Sequence, residues 1–138
     1  MPELRAQIER IIEVFSQGEL GAAVALFRED ACYETVSGSL RRGRDAIARE
    51  LAPQFRGAYG AMQFHLARVI VDEARREAAI AWTCEHQLDA PTRPLARVLR
   101  VVFGPRASWE GVDLFRFDEQ GLIEDKRTFA KARLLAIR

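Results

Sequence analysis

The sequence predicts an α+β domain: helices first, then an antiparallel sheet that buries one face against them. Three observations carry this. Leu4, Ile8, Ile11, Ile12 and Phe15 recur at helical spacing near the N-terminus. The second half alternates with period two instead, most plainly in AAIAWTCEHQL, residues 78–88. DEQG, residues 118–121, joins two more alternating runs and reads as the turn of a β-hairpin, with Gly121 able to take a positive φ.

In chain order, Gly18 is a natural stop for the first helix. Leu20, Ala23, Val24 and Phe27 predict a second, shorter helix. ACYETVS, residues 31–37, is rich in strand formers, and the SGS within and after it turns the chain. RDAIARELAPQF, residues 44–55, places Ile47, Leu51 and Phe55 on one face of a third helix. Pro53 has no backbone donor, so a kink or an early end is expected there. MQFHLARVIV, residues 62–71, reads as a strand and DEARRE, residues 72–77, as the polar turn into its partner. In the returning strand Ala78, Ile80, Trp82, Cys84, His86 and Leu88 share one face. Residues 90–107 read either as one more strand or as a short helix. The helix is preferred, because Leu95, Val98, Leu99 and Val102 form a stripe with Arg93, Arg97 and Arg100 outside it. Bounded by Pro94 and Gly104-Pro105, that stripe predicts a lid over an apolar pocket.

The 138 residues suit one domain, and 49% hydrophobic with 30% charged residues is an ordinary soluble balance. A net charge of +1 supplies no general attraction to nucleic acid. No apolar run approaches the ~18 residues a membrane span needs. The first ten residues, MPELRAQIER, are charged and lack the apolar centre of a signal peptide. Cys32 and Cys84 have no metal-type spacing and are expected to be reduced, in a cytoplasmic protein. Two histidines, no paired-carboxylate spacing and no glycine-rich phosphate loop lead to the expectation of no metal and no nucleotide cofactor.

SWEGVDLFRFDEQGLIEDKRTF, residues 108–129, holds the question about function. Trp109, Gly111, Asp113, Phe115 and Phe117 fall on one strand face, so a single carboxylate stands among three aromatic rings. That face and the one carrying His86 are the more aromatic ones and are expected to point inward. The outer face then carries Ala81, Thr83, Val112 and Leu114, a surface suited to a partner.

GELGAAVALFREDACYETVSGSLRRGRDAI, residues 18–47, and GVDLFRFDEQGLIEDKRTF, residues 111–129, resemble the nuclear transport factor 2-like superfamily, which includes ketosteroid isomerases and SnoaL-like polyketide cyclases. The resemblance spans nearly the whole chain. It implies one SnoaL-like domain over residues 1–138, a cone-shaped antiparallel sheet curved around N-terminal helices, an apolar pocket between them, and a homodimer formed through the sheet. Laid over the ketosteroid isomerases, the base of the first strand falls on Thr35 and the tyrosine donor of the first helix on Ile11, so neither is kept. Their second carboxylic acid falls on Asp113, which also matches the late-sheet acid/base aspartate of the SnoaL-like cyclases.

Asp113 is therefore the central candidate. A carboxyl group among Trp109, Phe115 and Phe117 is expected to be desolvated, which favours its protonated form and suits it to donate to a carbonyl oxygen or to shuttle a proton. The bland alternative is an aspartate satisfied by a nearby backbone amide or arginine. His86 is the second catalytic candidate, as base or hydrogen-bond partner. Tyr33 and Thr35 are candidate donors to a ligand, and Trp82, Cys84, Trp109 and Phe115 candidate pocket walls. His65 lies on a face the pattern does not settle. The expected function is an enzyme using general acid/base chemistry on an apolar carbonyl or cyclic compound. The rival readings are a non-catalytic binding module and a dimerising scaffold with a collapsed pocket.

Overall fold

The computed structural model describes residues 3–57, 61–87, 98 and 106–131. Its elements are α1 (Leu4–Gln17), α2 (Leu20–Val24), β1 (Phe27–Glu34), β2 (Leu40–Arg42), α3 (Gly43–Phe55), β3 (Ala61–Asp72), β4 (Glu77–Gln87), β5 (Arg106–Phe117) and β6 (Ile123–Ala130). The α+β architecture follows the sequence reading. The six strands form one unclosed sheet in the order β2-β1-β6-β5-β4-β3. Register shifts interrupt β1–β6, β3–β4 and β5–β6, and such bulges bend a sheet. One ladder departs from the antiparallel expectation: β1 and β6 run parallel.

The apolar stripe of α1 does what its spacing requires: Leu4, Ile8, Ile11 and Phe15 are buried, and Gly18 ends the helix at φ 76°. No side chain of α1 caps its start. The cap is tertiary: the Leu4 amide donates to Glu73 Oε1 at 3.2 Å, from the β3–β4 turn. Gln7 Nε2 donates to the Gly121 carbonyl at 2.9 Å, in the β5–β6 turn. The first turns of α1 are thus tied to both hairpin turns. In the core Phe27, Phe117, Ile47, Ile80 and Ile123 are completely sealed.

The β5–β6 turn is built by Asp118. Its Oδ1 accepts the amides of Gln120 and Leu122, each at 2.9 Å, and Gly121 takes φ 84°. Helix α3 runs through Pro53 and ends two residues later at Phe55, so the expected early end is slight. Phe27 is not the last residue of α2 but the first of β1. The Leu26 amide closes a turn on the Ala23 carbonyl, and the Leu26 carbonyl accepts the Ile123 amide at 2.8 Å, which draws the chain into the sheet. The short strand β2 carried no readable pattern. The segment predicted as a lid falls outside the described residues except at three positions: Val98, midway, is helical and exposed, and Arg106 and Ala107 open β5. Among the described residues no helix is long and apolar enough to cross a membrane.

Candidate active site

Register arranges the inner-face residues in rows across the sheet. Tyr33, Lys126, Phe115 and Ala78 make one row, and Thr128, Asp113, Ile80 and Val69 the next. Gly111 and Trp82 stand opposite each other in the third. Asp113 is buried on this face, as its aromatic neighbours predict, with Phe115 and Phe117 buried beside it.

Asp113 is not a solitary acid. Thr128 Oγ1 donates to its Oδ1 at 2.6 Å, and Lys126 Nζ lies 3.8 Å from its Oδ2. Lys126 is itself buried, 6% exposed, which an unpaired lysine seldom is. Its ammonium sits among three rings, 4.7 Å from the centroid of Tyr33, 4.8 Å from Phe15 and 5.9 Å from Phe115. Burial pulls the lysine pKa down, but the Asp113 carboxylate, and after it Tyr33, outweigh burial and leave it above the ordinary value. The ammonium therefore stays charged through the neutral range. The expectation of a carboxyl desolvated by aromatic rings alone is corrected by this geometry: the rings are there, and so are a cation and a hydroxyl.

The other predicted positions divide. Tyr33 is buried, stacks on Phe27 at 6.4 Å between centroids, and carries Lys126 over its ring. Thr35 is buried just past the end of β1, but its hydroxyl pairs with Ser37 Oγ at 3.0 Å in the turn to β2. Trp82 is buried, meets Phe64 edge-on at 5.6 Å, and its indole Nε1 has no hydrogen-bond partner among the described residues. Trp109 is half-buried and stands opposite Cys84 in the register. Cys84 is buried, and burial first, then Glu85, pushes its thiol up to about 12. It is a wall of the face and not a nucleophile at neutral pH. A thiol reagent is expected to modify half-buried Cys32 and to spare Cys84 in the folded protein, with both reacting in denaturant. Equal rates in the folded state would contradict this. His86 pairs with Met62 and Ala107 near the end of β4, and its side chain lies outside the described residues. His65 is exposed and lies 3.8 Å from Glu85, so it stands apart from the Asp113 cluster.

Sequence reasoning missed Lys126, Thr128 and the role of Phe15. The reason is a bulge. Phe117 pairs with Ile123 and Arg116 with Asp125, so one step on β5 matches two on β6. Strict alternation from Ile123 would turn Asp125 and Arg127 inward and Lys126 outward. The extra residue reverses the parity, and Lys126 and Thr128 enter the interior. A usable signal existed in KRTF: placing Thr128 directly across from Asp113 gives the acid a partner.

A separate groove of about 450 Å³ runs over the sheet from Ile70 and Leu114 to Asp125 and Arg127. It opens on the outer face of the sheet, since Ile70, Leu114, Arg116 and Arg127 are exposed and alternate with buried inner-face residues, of which Ala78 and Phe115 also border it. Among the described residues no group of three or more histidine, cysteine, aspartate or glutamate side chains gathers as a metal site.

Comparison with known proteins bears on the fold and the family. Among curated proteins no sequence match is found. Similar solved structures include the epoxide hydrolase/cyclase-like enzyme SalBIII, which takes part in pyran ring formation in the polyether salinomycin. It is 19% identical, with a TM-score of 0.74 over 94% of this chain and 92% of that one. A protein of unknown function with a cystatin-like fold from Methylobium petroleophilum is 18% identical, with a TM-score of 0.68 over 94% of this chain and 76% of its own. An NTF2-like protein of unknown function from Cytophaga hutchinsonii is 10% identical, with a TM-score of 0.68 over 99% and 96%. At these identities the likeness establishes a cystatin-like, NTF2-like fold. The family model of the SnoaL-like domain matches residues 8–125, from the second turn of α1 into β6. With that match, and with the sheet and helices in this arrangement, the chain belongs to the SnoaL-like domain family.

Proposed function

We propose that this chain is a cofactor-independent small-molecule enzyme of the SnoaL/ketosteroid isomerase-like type, acting by acid/base chemistry on an apolar carbonyl or cyclic compound. One observation carries the reading: a buried carboxylate with one oxygen held by Thr128 and the other turned towards Lys126, on an aromatic wall. Buried ion pairs are seldom more stabilising than apolar packing of the same volume, so keeping one here points to use. Oδ1 is occupied by the threonine hydroxyl, which leaves Oδ2 as the oxygen that accepts a proton. In the simplest cycle Oδ2 takes a proton from carbon α to a carbonyl, the C–H electron pair moves into the enolate, the proton on Oδ2 exchanges with solvent, and a solvent-derived proton is then returned from Oδ2 to carbon, restoring the carboxylate. Tyr33 and His86 are the assisting groups in this reading, and Trp82, Cys84, Trp109 and Phe115 the walls.

Deuterium exchange tests it. Small alicyclic and aromatic ketones in heavy water, followed by NMR, are expected to gain deuterium at the α carbon with the wild type. Asp113→Asn is expected to lower that rate by about a hundredfold or more, the usual range for a lost general base. Undiminished exchange by the variant would remove Asp113 from the chemistry. The second reading, a non-catalytic binding module, draws on Thr35, which stands where ketosteroid isomerases carry a base and whose hydroxyl is spent on Ser37. Ligand-induced thermal stabilisation without exchange for any ketone would favour it.

The outer sheet face supports a homodimer. Ile70, Val112, Leu114 and Phe129 are 38–61% exposed there, beside a row in which Asp72, Glu77, Arg116 and Asp125 stand next to one another, with Arg127 opposite Leu114. An apolar centre with charges of both signs is self-complementary under a two-fold axis. Sedimentation at micromolar concentration is expected to give a dimer, and Leu114→Glu a monomer. A wild-type monomer at that concentration would refute it.

A further inference from the structure

We propose that the Lys126 ammonium is the oxyanion-binding group of the inner face, receiving the negatively charged oxygen of an apolar ring compound such as an enolate or a phenolate. The inference rests on the inner face being the ligand site, but it concerns a residue that the acid/base reading leaves without a role.

The argument begins with unspent donors. A lysine ammonium has three N–H groups and no acceptor capacity. The oxygen of its ionic partner is 3.8 Å away, beyond hydrogen-bonding reach. The remaining neighbours are ring faces, which attract a cation but do not replace a hydrogen-bond acceptor. With its acceptor that far off, the ammonium has N–H groups that a ligand oxygen at hydrogen-bond distance would satisfy better. The same face holds a second unmet donor, the Trp82 indole Nε1, one row beyond Asp113. Against these stands one ionised acceptor, the Asp113 carboxylate. Among the described residues these two donors lack a close acceptor, and their complement is a molecule that brings acceptor oxygen.

The surroundings narrow the class. The groups facing Lys126 are Asp113 and Phe115 from β5, Tyr33 from β1 and Phe15 from α1. The titratable ones among them are Asp113 and Tyr33. Three ring walls suit a flat, apolar body, and the one cation suits one charged oxygen. Asp113, Lys126 and Tyr33 each keep 6–8% exposure, whereas Phe117, Phe27 and Ile123 towards the hairpin turn keep none. The cluster is thus less completely sealed than the end of the core at the hairpin turn. When Asp113 has taken a proton it no longer balances the ammonium, and the ammonium is then free to meet the oxygen that has gained the charge.

The probe is 4-nitrophenol, whose phenolate is yellow and whose phenol is not. Its pH titration is read by absorbance in the presence of wild type, Asp113→Asn, and the double variant Asp113→Asn/Lys126→Met. The double variant removes both charges together, so no lone buried charge is left to unfold it. Far- and near-ultraviolet circular dichroism verify that each is folded. In Asp113→Asn, where the ammonium has lost its carboxylate, the bound dye is expected to titrate at least about one pH unit lower than free dye, a tenfold preference for phenolate. Wild type is expected to show a smaller shift of the same sign, and the double variant none. An unshifted titration in Asp113→Asn, an equal shift in the double variant, or no binding to any of the three overturns the proposal. If ketone exchange is lost in Asp113→Asn while the dye shows no phenolate preference, the acid/base reading stands and this one falls.

Discussion

Lys126→Met is expected to destabilise the protein by about 3–5 kcal/mol, the usual cost of breaking a buried pair and leaving one charge behind. The stranded group is Asp113, buried with the Thr128 hydroxyl as its one polar side-chain partner among the described residues once the ammonium is gone. Methionine matches the lysine stem in length, so the loss is one of charge and not of volume. Adding Asp113→Asn should return most of the stability, because a neutral amide can keep the threonine hydrogen bond. Urea denaturation of the four proteins of the cycle measures this directly. Similar stability of Lys126→Met and wild type would show that the ion pair contributes nothing.

The same pair predicts a dependence on alkaline pH. The lysine's pKa is raised in the folded state above its ordinary 10.5, because Asp113, then Tyr33, overcome the lowering by burial. In the unfolded chain the lysine loses its proton first. Its contribution is therefore complete below pH 10.5 and is lost as the pH rises through the folded value. Cys84 acts with the same sign between 9.0 and about 12, since burial raises its thiol as well. The comparison is best made in a Cys84→Ala background. There the decline in stability above pH 10.5 should be steeper with the pair intact than with Asp113→Asn/Lys126→Met.

Gly111→Ala is expected to cost about 3 kcal/mol, at the upper end of ordinary overpacking. Gly111 has no unusual φ, so conformation is not why it is glycine. Space is the reason. A Cβ there would overlap Cζ2 of the Trp82 indole and approach the Phe129 backbone oxygen to 2.7 Å. The indole lies against the strand where a side chain would otherwise stand. Trp82→Phe in the alanine background should recover part of the loss, since it withdraws the outer ring, while the clash with the backbone oxygen persists. If Gly111→Ala is as stable as wild type by urea denaturation, the indole does not pack as described.

Much of this molecule was legible from one-dimensional pattern, and the cases are instructive. The α1 stripe of Leu4, Ile8, Ile11 and Phe15 is buried as its spacing dictates, because a helix must turn a 3.6-residue repeat to one side. The β4 face of Ala78, Ile80, Trp82 and Cys84 and the β5 face of Asp113, Phe115 and Phe117 are buried because strands alternate and the aromatic face must leave water. Asp113 as the polar member of that face was readable for the same reason. Other features had no local signature. The cap of α1 comes from Glu73, 69 residues away in sequence. Phe27 left its helical stripe because the Leu26 carbonyl meets the Ile123 amide across the sheet. Above all, Lys126 turned inward only because an unpaired residue on β6 reversed the strand's parity. Periodicity assigns residues to faces relative to one another along an unbroken strand. A bulge breaks that chain of inference, and only the pairing with β5 and β1 decides which face each half presents. The sequence by itself determined the α+β class, the aromatic inner wall and the acid within it. The tertiary structure decided that the acid has a cation and a hydroxyl for company, because partners from different strands are chosen by register, which no single strand encodes.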